Sequence, residues 1–229
     1  MDASSSSSGF RILDMRLYTL LIAVLMLVSV PAAGAGKADD YKFSLTPFVG
    51  YRTTSGIDGE GDAGELDLED EPVAGLILNG FARKINARDY TEWEVYVSHQ
   101  SAGIAKAPGG IDPSLKVDIT HILVGGTYVG GGKTARPYLS AGIGAAHLRP
   151  DQSDYSSDTS FAFGIGVGAH VFPEKRIGLR TEVRLLGAVI DSSSALFCSS
   201  GSNGGNCVFR ANGDLLFQVE FFAGITGRF

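Results

Sequence analysis

Eight stretches of this 229-residue chain alternate apolar and polar side chains with a period of two residues. Turn-forming residues bound the stretches, which lie at approximately 41–52, 66–83, 90–100, 115–129, 136–148, 159–172, 176–190 and 214–229. No helical period of useful length occurs after the first 35 residues. The alternation therefore predicts an all-β protein whose strands each have one apolar and one polar face.

The connections between these strands alternate in length. Long polar connections such as TTSGIDGEGDAGE and DSSSALFCSSGSNGGNCVFRANG are separated by short ones such as KINARD, GGGKTA and PEKR. Brief turns on one side and longer loops on the other are typical of transmembrane barrels, whose closed sheet leaves no unpaired backbone group in lipid. We therefore predict a closed antiparallel transmembrane β-barrel of about eight strands, with short periplasmic turns and longer outer loops.

Charged side chains alternate with the apolar rows of several predicted strands. If the apolar rows face lipid, the charged rows face the interior, and the predicted interior charges are Glu92, Glu94, Arg180, Glu182, Arg184, Glu220 and Arg228. An eight-stranded barrel is just wide enough for its own side chains to fill. Since buried charges need partners and both signs are present, we favour a salt-bridged plug over a narrow polar path. A soluble β-sandwich, the other all-β alternative, does not account for the alternation of long and short connections.

The first 35 residues have the pattern of a targeting segment. The apolar run LYTLLIAVLMLVSV follows Arg16, and the small-x-small triplet Ala33-Gly34-Ala35 comes shortly after it, as in a cleaved signal peptide. We therefore predict a signal peptide at 1–35 and a barrel domain at 36–229. Met15 is an alternative start, which would make 1–14 an extension, and a retained transmembrane anchor is the alternative to cleavage.

The two cysteines of the chain, Cys198 and Cys207, lie in the Ser- and Gly-rich stretch FCSSGSNGGNCVF. In an exported chain, an even and closely spaced pair of this kind predicts a disulfide. For a loop of this size, the chain-entropy model gives a stabilisation of about 2–3 kcal/mol. A metal site is disfavoured, because two thiolates without a nearby histidine do not complete a zinc site.

Three stretches of the chain resemble the small outer-membrane barrels of Gram-negative bacteria, the OmpA-, OmpX- and OmpW-like proteins. These stretches are FSLTPFVGYR, the Gly-rich RPYLSAGIGAAHLRP and the terminal FQVEFFAGITGRF. The resemblance implies location in the outer membrane, contact with its lipid and lipopolysaccharide, and recognition of the last strand by the barrel assembly machinery through Phe229, Phe221 and Ile225. No peptidoglycan-binding domain follows Phe229 in the sequence, so we expect no anchoring to the cell wall.

The first predicted outer loop is strongly acidic. Its carboxylates are Asp58, Glu60, Asp62, Glu65, Asp67, Glu69, Asp70 and Glu71. Four of them, Asp58, Glu60, Asp62 and Glu69, have the spacing of positions 1, 3, 5 and 12 of a calcium loop. Ala63, however, stands where such a loop requires glycine. The sequence therefore favours a solvated loop, and loose binding of divalent cations beside lipopolysaccharide stays open.

The stretch His99-Gln100-Ser101 resembles a catalytic motif. It is similar to the His-x-Ser of outer-membrane lipid A deacylases, in which histidine activates serine for acyl transfer. Ala102 departs from the asparagine usual after that serine, and no acidic residue is clearly placed to orient His99. Because His99 and Ser101 are two residues apart in a strand, they share one face, which is the predicted lipid-facing side near the outer end of that strand. We keep deacylation as a third hypothesis and expect an interfacial position for His99.

Composition restricts the remaining functions. The formal net charge of −6 argues against a nucleic-acid partner, since phosphate binding needs a basic surface. No sequence pattern indicates a cofactor or a catalytic metal centre. We therefore predict a non-enzymatic outer-membrane barrel with a structural or surface-interaction role, and the alternative is a narrow porin or OmpW-like channel for small solutes.

Overall fold

The computed structural model describes residues 41–54, 57–58, 65–106, 116–151, 157–189, 198–199, 206–207 and 215–229; the predicted signal peptide at 1–35 lies outside them. Eight long strands form the fold: β1 (Phe43–Thr54), β2 (Glu71–Lys84), β3 (Tyr90–Lys106), β4 (Lys116–Val129), β5 (Ala135–Pro150), β6 (Asp158–Val171), β7 (Ile177–Val189) and β8 (Leu215–Arg228). Two short hairpin pairings join Ile57–Asp58 to Glu65–Leu68 and Cys198–Ser199 to Asn206–Cys207. Within the described ranges, no helix is long and apolar enough to cross a membrane.

The eight strands form one closed sheet. Each strand pairs antiparallel with its neighbours in sequence, and β1 also pairs with β8, where Val49 lies opposite Ala223. The short connections 85–89, 130–134 and 172–176 all lie at one end, which we call the turn end; the opposite end is the outer end. The closed eight-stranded antiparallel barrel predicted from the alternation is confirmed.

The last residue is part of the seam between β1 and β8. The backbone N–H and C=O of Phe229 exchange two 3.0 Å hydrogen bonds with Phe43. The ring of Phe229 stacks on that of Phe43 at 6.3 Å between centroids, and Phe43 meets the edge of Trp93 at 6.1 Å. Gly80 lies beneath the indole, where any Cβ would overlap Trp93. An aromatic surface therefore covers the seam at the turn end.

The two faces of the sheet differ as the alternation predicts. Outward side chains such as Val49, Ile122 and Ile143 are apolar and more than half exposed. The interior holds an apolar cluster together with buried polar groups. The apolar cluster consists of Phe48, Ile77, Tyr96, Ala102, Val117, Ile119, Leu123, Ala146, Leu148, Ala162, Leu186, Ala188, Leu216 and Phe222. Side chains therefore pack the inside of the barrel.

The outer end departs from the predicted strand boundaries. The prediction of one strand at 66–83 is wrong there, because the short strand Glu65–Leu68 is separate from β2, which begins at Glu71. β3 also continues to Lys106, beyond the predicted end at 100, since its extension pairs with that short strand. A 2.8 Å hydrogen bond from the backbone N–H of Glu69 to the carbonyl of Gly103 fixes the junction.

Candidate functional site

Four charged side chains from opposite walls of the barrel meet in its interior. Glu94 lies on β3, whereas Arg180, Glu182 and Arg184 lie on β7, with three strands between these walls on either side. Each carboxylate pairs with both guanidinium groups at N–O distances of 2.7 Å. We call these residues the four-charge cluster. Its two negative and two positive charges balance, and each side chain is at most 4% exposed.

Hydroxyl groups complete the hydrogen bonding of the two carboxylates in this cluster. Thr127 Oγ1 donates to Glu94 Oε2 at 2.9 Å. The hydroxyls of Tyr138 and Ser140 donate to the two oxygens of Glu182, at 2.7 and 2.8 Å respectively. Buried carboxylates are tolerated when their lone pairs are satisfied in this way, so the cluster is compatible with burial.

Amide and aromatic groups surround the two guanidinium groups. Arg180 Nη1 donates to Asn79 Oδ1 at 2.9 Å, and Arg180 lies 4.6 Å from the ring centroid of Tyr138. Arg184 lies 4.1 Å from the ring centroid of Tyr96. Both contacts have the geometry of cation–π interactions. The ring of Tyr96 also links this cluster to a second one.

The second cluster is centred on a buried ion pair between Arg52 of β1 and Glu220 of β8. Arg52 Nε donates to Glu220 Oε2 at 2.9 Å, and both side chains are fully buried. Tyr96 donates to Glu220 Oε1 at 2.6 Å, and Arg52 Nη2 donates to Ser98 Oγ at 2.5 Å. Arg52 Nη1 also lies 3.3 Å from His121 Nδ1 on β4. The pair therefore connects β1, β3, β4 and β8 inside the barrel.

Two of the predicted interior charges, Glu92 and Arg228, belong to neither cluster. Both line a cavity of about 220 Å³ at the turn end, together with Asp89 and Arg136. Arg228 Nη1 donates to the carbonyl of Lys175 at 2.8 Å and so ties β8 to the connection between β6 and β7. Among the described residues, one oxygen of Glu92 is buried without a hydrogen-bond partner.

Several residues of the two clusters are not among the predicted interior charges. Arg52 has the parity of Ser44 and Thr46 in FSLTPFVGYR, so a charge at an inward position of β1 was visible in the alternation. Tyr96 and Tyr138 also have inward parity, but a tyrosine there is equally compatible with apolar packing. Only their hydroxyl contacts identify them as hydrogen-bond donors to buried carboxylates.

Asp89 connects two of the short turns. Its Oδ1 accepts from the N–H of Gly131 at 2.9 Å, and its Oδ2 accepts from Asn86 Nδ2 at 2.6 Å and from the Tyr128 hydroxyl at 3.1 Å. These bonds, led by that from Asn86, lower the pKa of Asp89 below its ordinary value. The carboxylate is therefore held in its charged form at the turn end.

The structure places His99 and Ser101 on the outward face of β3, and both are exposed. His99 Nδ1 lies 3.0 Å from Thr120 Oγ1 on β4, at the position where a catalytic histidine would need an orienting acid. The nearby Asp118 lies opposite Ser101 rather than opposite His99. The described residues therefore do not bring together a serine, a histidine and an acid in the order that acyl transfer requires.

The acidic first loop is described only in part. Glu60 and Asp62 lie outside the described residues, and so do the side chains of Asp58, Glu65 and Asp67. Glu69 and Asp70 are exposed, and Asp70 Oδ1 accepts from the N–H of Thr54 at 3.3 Å. Binding of divalent cations by this loop stays a prediction.

The three residues predicted to form the assembly signal lie on one outward face of β8. Phe221, Ile225 and Phe229 are 51%, 54% and 56% exposed. Phe229 occupies the turn end, next to Phe43 and Trp93. Recognition of these three residues by the barrel assembly machinery stays a prediction.

The backbone places Cys198 directly opposite Cys207 in a short antiparallel pairing. Opposed residues of such a pairing have Cα atoms about 4.5–5.5 Å apart, within the 4.4–6.8 Å range of disulfides. The side chains of both cysteines lie outside the described residues. The disulfide stays a prediction that this backbone register supports.

We expect alkylation without reduction to leave Cys198 and Cys207 unmodified in protein taken from the cell envelope, because the predicted disulfide blocks both thiols. The measurement is mass spectrometry of the peptide that contains residues 198–207, before and after reduction. A reduced and realkylated sample serves as the control. Two alkylated thiols in the unreduced sample would contradict the prediction.

Comparison with known proteins supports the fold. No protein-family model and no curated protein sequence matches the chain significantly. Among solved structures, Neisserial surface protein A has a TM-score of 0.50 at 15% identity, over 82% of this chain and 97% of its own. OprG from Pseudomonas aeruginosa has a TM-score of 0.48 at 13% identity, over 82% of this chain and 96% of its own. Ail from Yersinia pestis has a TM-score of 0.39 at 12% identity, over 81% of this chain and 99% of its own. The likeness to Neisserial surface protein A supports the fold alone, a closed eight-stranded β-barrel, and this fold agrees with the resemblance found in the sequence.

Proposed function

We propose that the chain is a non-enzymatic outer-membrane protein of a Gram-negative bacterium with a structural or surface-interaction role. The four-charge cluster is the observation that carries this proposal, since its ion pairs join β3 to β7 across the middle of the barrel. The Arg52–Glu220 pair and its hydrogen bonds to Tyr96 and Ser98 add a second obstruction. A barrel whose interior is filled in this way provides a rigid frame for the outer loops rather than a path for solutes through the membrane.

The outward surface supports a lipid environment. Each of the eight strands has exposed apolar side chains on its outward face, and aromatic rings such as Phe43, Trp93 and Phe229 gather at the turn end. Aromatic residues are enriched where outer-membrane barrels meet the membrane interface. In this orientation the short turns face the periplasm, the outer loops face the cell exterior, and the terminal strand is the element offered to the barrel assembly machinery.

We expect purified wild-type protein in planar bilayers to give no stable conductance steps, because the four-charge cluster obstructs the interior. Empty detergent micelles provide the background control. Reproducible wild-type steps would contradict the proposal and support the alternative, a narrow channel for small solutes.

We expect no release of fatty acid from lipopolysaccharide by the protein, and no difference between wild type and Ser101→Ala. The reason is that a threonine hydroxyl, not a carboxylate, contacts His99 Nδ1. The measurement is mass spectrometry of free fatty acids after incubation with refolded protein. Release by wild type that Ser101→Ala abolishes would establish the deacylase hypothesis instead.

A further inference from the structure

A row of four polar side chains crosses the outward face of the barrel near its outer end. His99 on β3, Thr120 on β4, His147 on β5 and Thr159 on β6 lie opposite one another in consecutive strand pairs. We call these four residues the His–Thr row. All point away from the interior, on a face where the remaining residues of the same strands are mostly apolar.

Hydrogen bonds along the row orient the two imidazole rings in the same way. His99 Nδ1 lies 3.0 Å from Thr120 Oγ1, and His147 Nδ1 lies 2.8 Å from Thr159 Oγ1. Nε2 is therefore the ring atom left for another partner in both histidines. The histidines are two strands apart, or about 10 Å, which is too far for one metal ion with bonds of about 2 Å. The row suits an extended polar ligand.

The row lies where the apolar surface of these strands ends. The strand β3 runs about nine residues from Tyr90 at the turn end to His99, and each residue of a strand advances it by about 3.3 Å. Because strands of such a barrel are tilted by about 40°, His99 lies about 23 Å above Tyr90 along the barrel axis. The apolar band of an outer-membrane barrel is about 25 Å tall. The opposed outward residues directly below the row are Val97, Ile122, Ala145 and Phe161. The row therefore lies at the level of the lipid headgroups.

Charged groups of both signs border the row on its outer side. Lys116 and Arg149 are exposed, and Arg149 lies opposite Asp118, which in turn lies opposite Ser101. Asp151, beyond the end of β5, accepts a 3.1 Å hydrogen bond from the backbone N–H of Lys116. On β7 and β8, Val189 and Leu215 lie level with Phe161, one pair below the row, and are apolar like the other residues at that level. Polar and charged groups therefore lie side by side on β3, β4, β5 and β6 at the outer end.

We propose that the His–Thr row, together with Lys116 and Arg149, binds the phosphorylated sugar headgroup of an outer-leaflet glycolipid; this rests on the outer-membrane location proposed above. Arginine, lysine and imidazole N–H groups are donors suited to phosphate oxygens. Asp118 and Ser101 supply acceptors and a hydroxyl for the sugar hydroxyl groups. A headgroup that carries both phosphate and hydroxyls uses both kinds of group, and the apolar residues beneath contact its acyl chains.

The test measures lipid retention by native mass spectrometry. Wild-type protein is inserted into phosphatidylcholine nanodiscs that contain bisphosphorylated lipid A, dephosphorylated lipid A or phosphatidylglycerol at equal mole fraction, and is then released for analysis. The variants are Lys116→Gln/Arg149→Gln and His99→Gln/His147→Gln. The charge-matched control is Lys84→Gln/Lys133→Gln, which removes two exposed lysines at the turn end. A further sample in detergent contains inorganic phosphate without lipid.

We expect wild type and control to retain bisphosphorylated lipid A about tenfold more than either other lipid, a difference that both outer-end variants largely lose. Equal retention of the three lipids by inserted wild type, or an equal loss in the turn-end control, would overturn the inference while leaving the proposed function intact. Binding of inorganic phosphate in the lipid-free sample that both outer-end variants lose would also overturn it. Failure of wild type to insert into any nanodisc would instead overturn the proposed function and this inference with it.

Discussion

Replacing Glu94 with Gln is expected to lower the free energy of unfolding of the barrel by about 3–5 kcal/mol. The substitution keeps the shape of the side chain but removes one of two negative charges in the four-charge cluster. Arg180 and Arg184 would then share Glu182 alone, and a positive charge would stay buried without compensation. The measurement is unfolding by urea after refolding into lipid vesicles, followed by the fluorescence of Trp93, the single tryptophan of the chain.

Two further variants test whether burial of charge is the cause. Glu174→Gln disrupts the partly exposed pair with Arg136, in which the two charged atoms are 3.9 Å apart, and should cost at most about 1 kcal/mol. Glu94→Gln/Arg184→Gln restores charge balance, so it should be more stable than Glu94→Gln alone. If Glu94→Gln costs no more than Glu174→Gln, or if the double variant is the least stable, the cluster does not hold the barrel together electrostatically.

Replacing Phe229 with Asp is expected to reduce the amount of protein in the outer membrane much more than it reduces the stability of folded molecules. At the interface a charge costs only about 0–1 kcal/mol, and complete burial of a phenylalanine contributes about 1.5–3 kcal/mol. The loss of a terminal recognition residue would leave chains in the periplasm. The measurements are heat-modifiable protein in outer-membrane fractions and, separately, thermal unfolding after refolding in detergent.

Phe81→Asp is the matched control for this experiment. Phe81 is also an outward aromatic residue near the turn end, with 52% exposure against 56% for Phe229, but it lies on β2 and not on the terminal strand. We expect it to lower stability by a similar amount while preserving insertion in cells. Equal insertion defects in the two variants would show that Phe229 acts as an interfacial side chain and not as an assembly signal.

The two-residue alternation was sufficient to predict the closed barrel and the inward position of most buried charges. Arg180, Glu182 and Arg184 alternate with exposed Leu179, Val183 and Leu185 because lipid selects one face and the interior the other. The odd or even position of a residue along its strand determines only which face of the sheet its side chain occupies. This assignment does not depend on which strand is the neighbour. For this reason the prediction survives errors of several residues in strand boundaries.

Sequence reasoning did not predict which charges would meet. The contact between Glu94 and Arg180 joins walls separated by 86 residues of chain, and Arg52 meets Glu220 across 168 residues. Such contacts depend on strand register around the whole circumference, which no local pattern specifies. Glu92 and Glu94 have the same parity, yet only Glu94 reaches the four-charge cluster. The extension of β3 was missed for a similar reason, since its partner strand lies in the acidic loop.

Three ion pairs inside the barrel join its first four strands to its last four. Glu94 and Arg52 belong to the first half, whereas Arg180, Arg184 and Glu220 belong to the second. A hairpin of β1 and β2 that entered hydrocarbon by itself would carry Arg52 without Glu220. A hairpin of β3 and β4 would likewise carry Glu94 without its two arginines, and each such ion costs several kcal/mol. Stepwise entry of single hairpins is therefore disfavoured, and the strands must gather into a nearly complete cylinder first. Crossing the bilayer then becomes one concerted event for the whole chain.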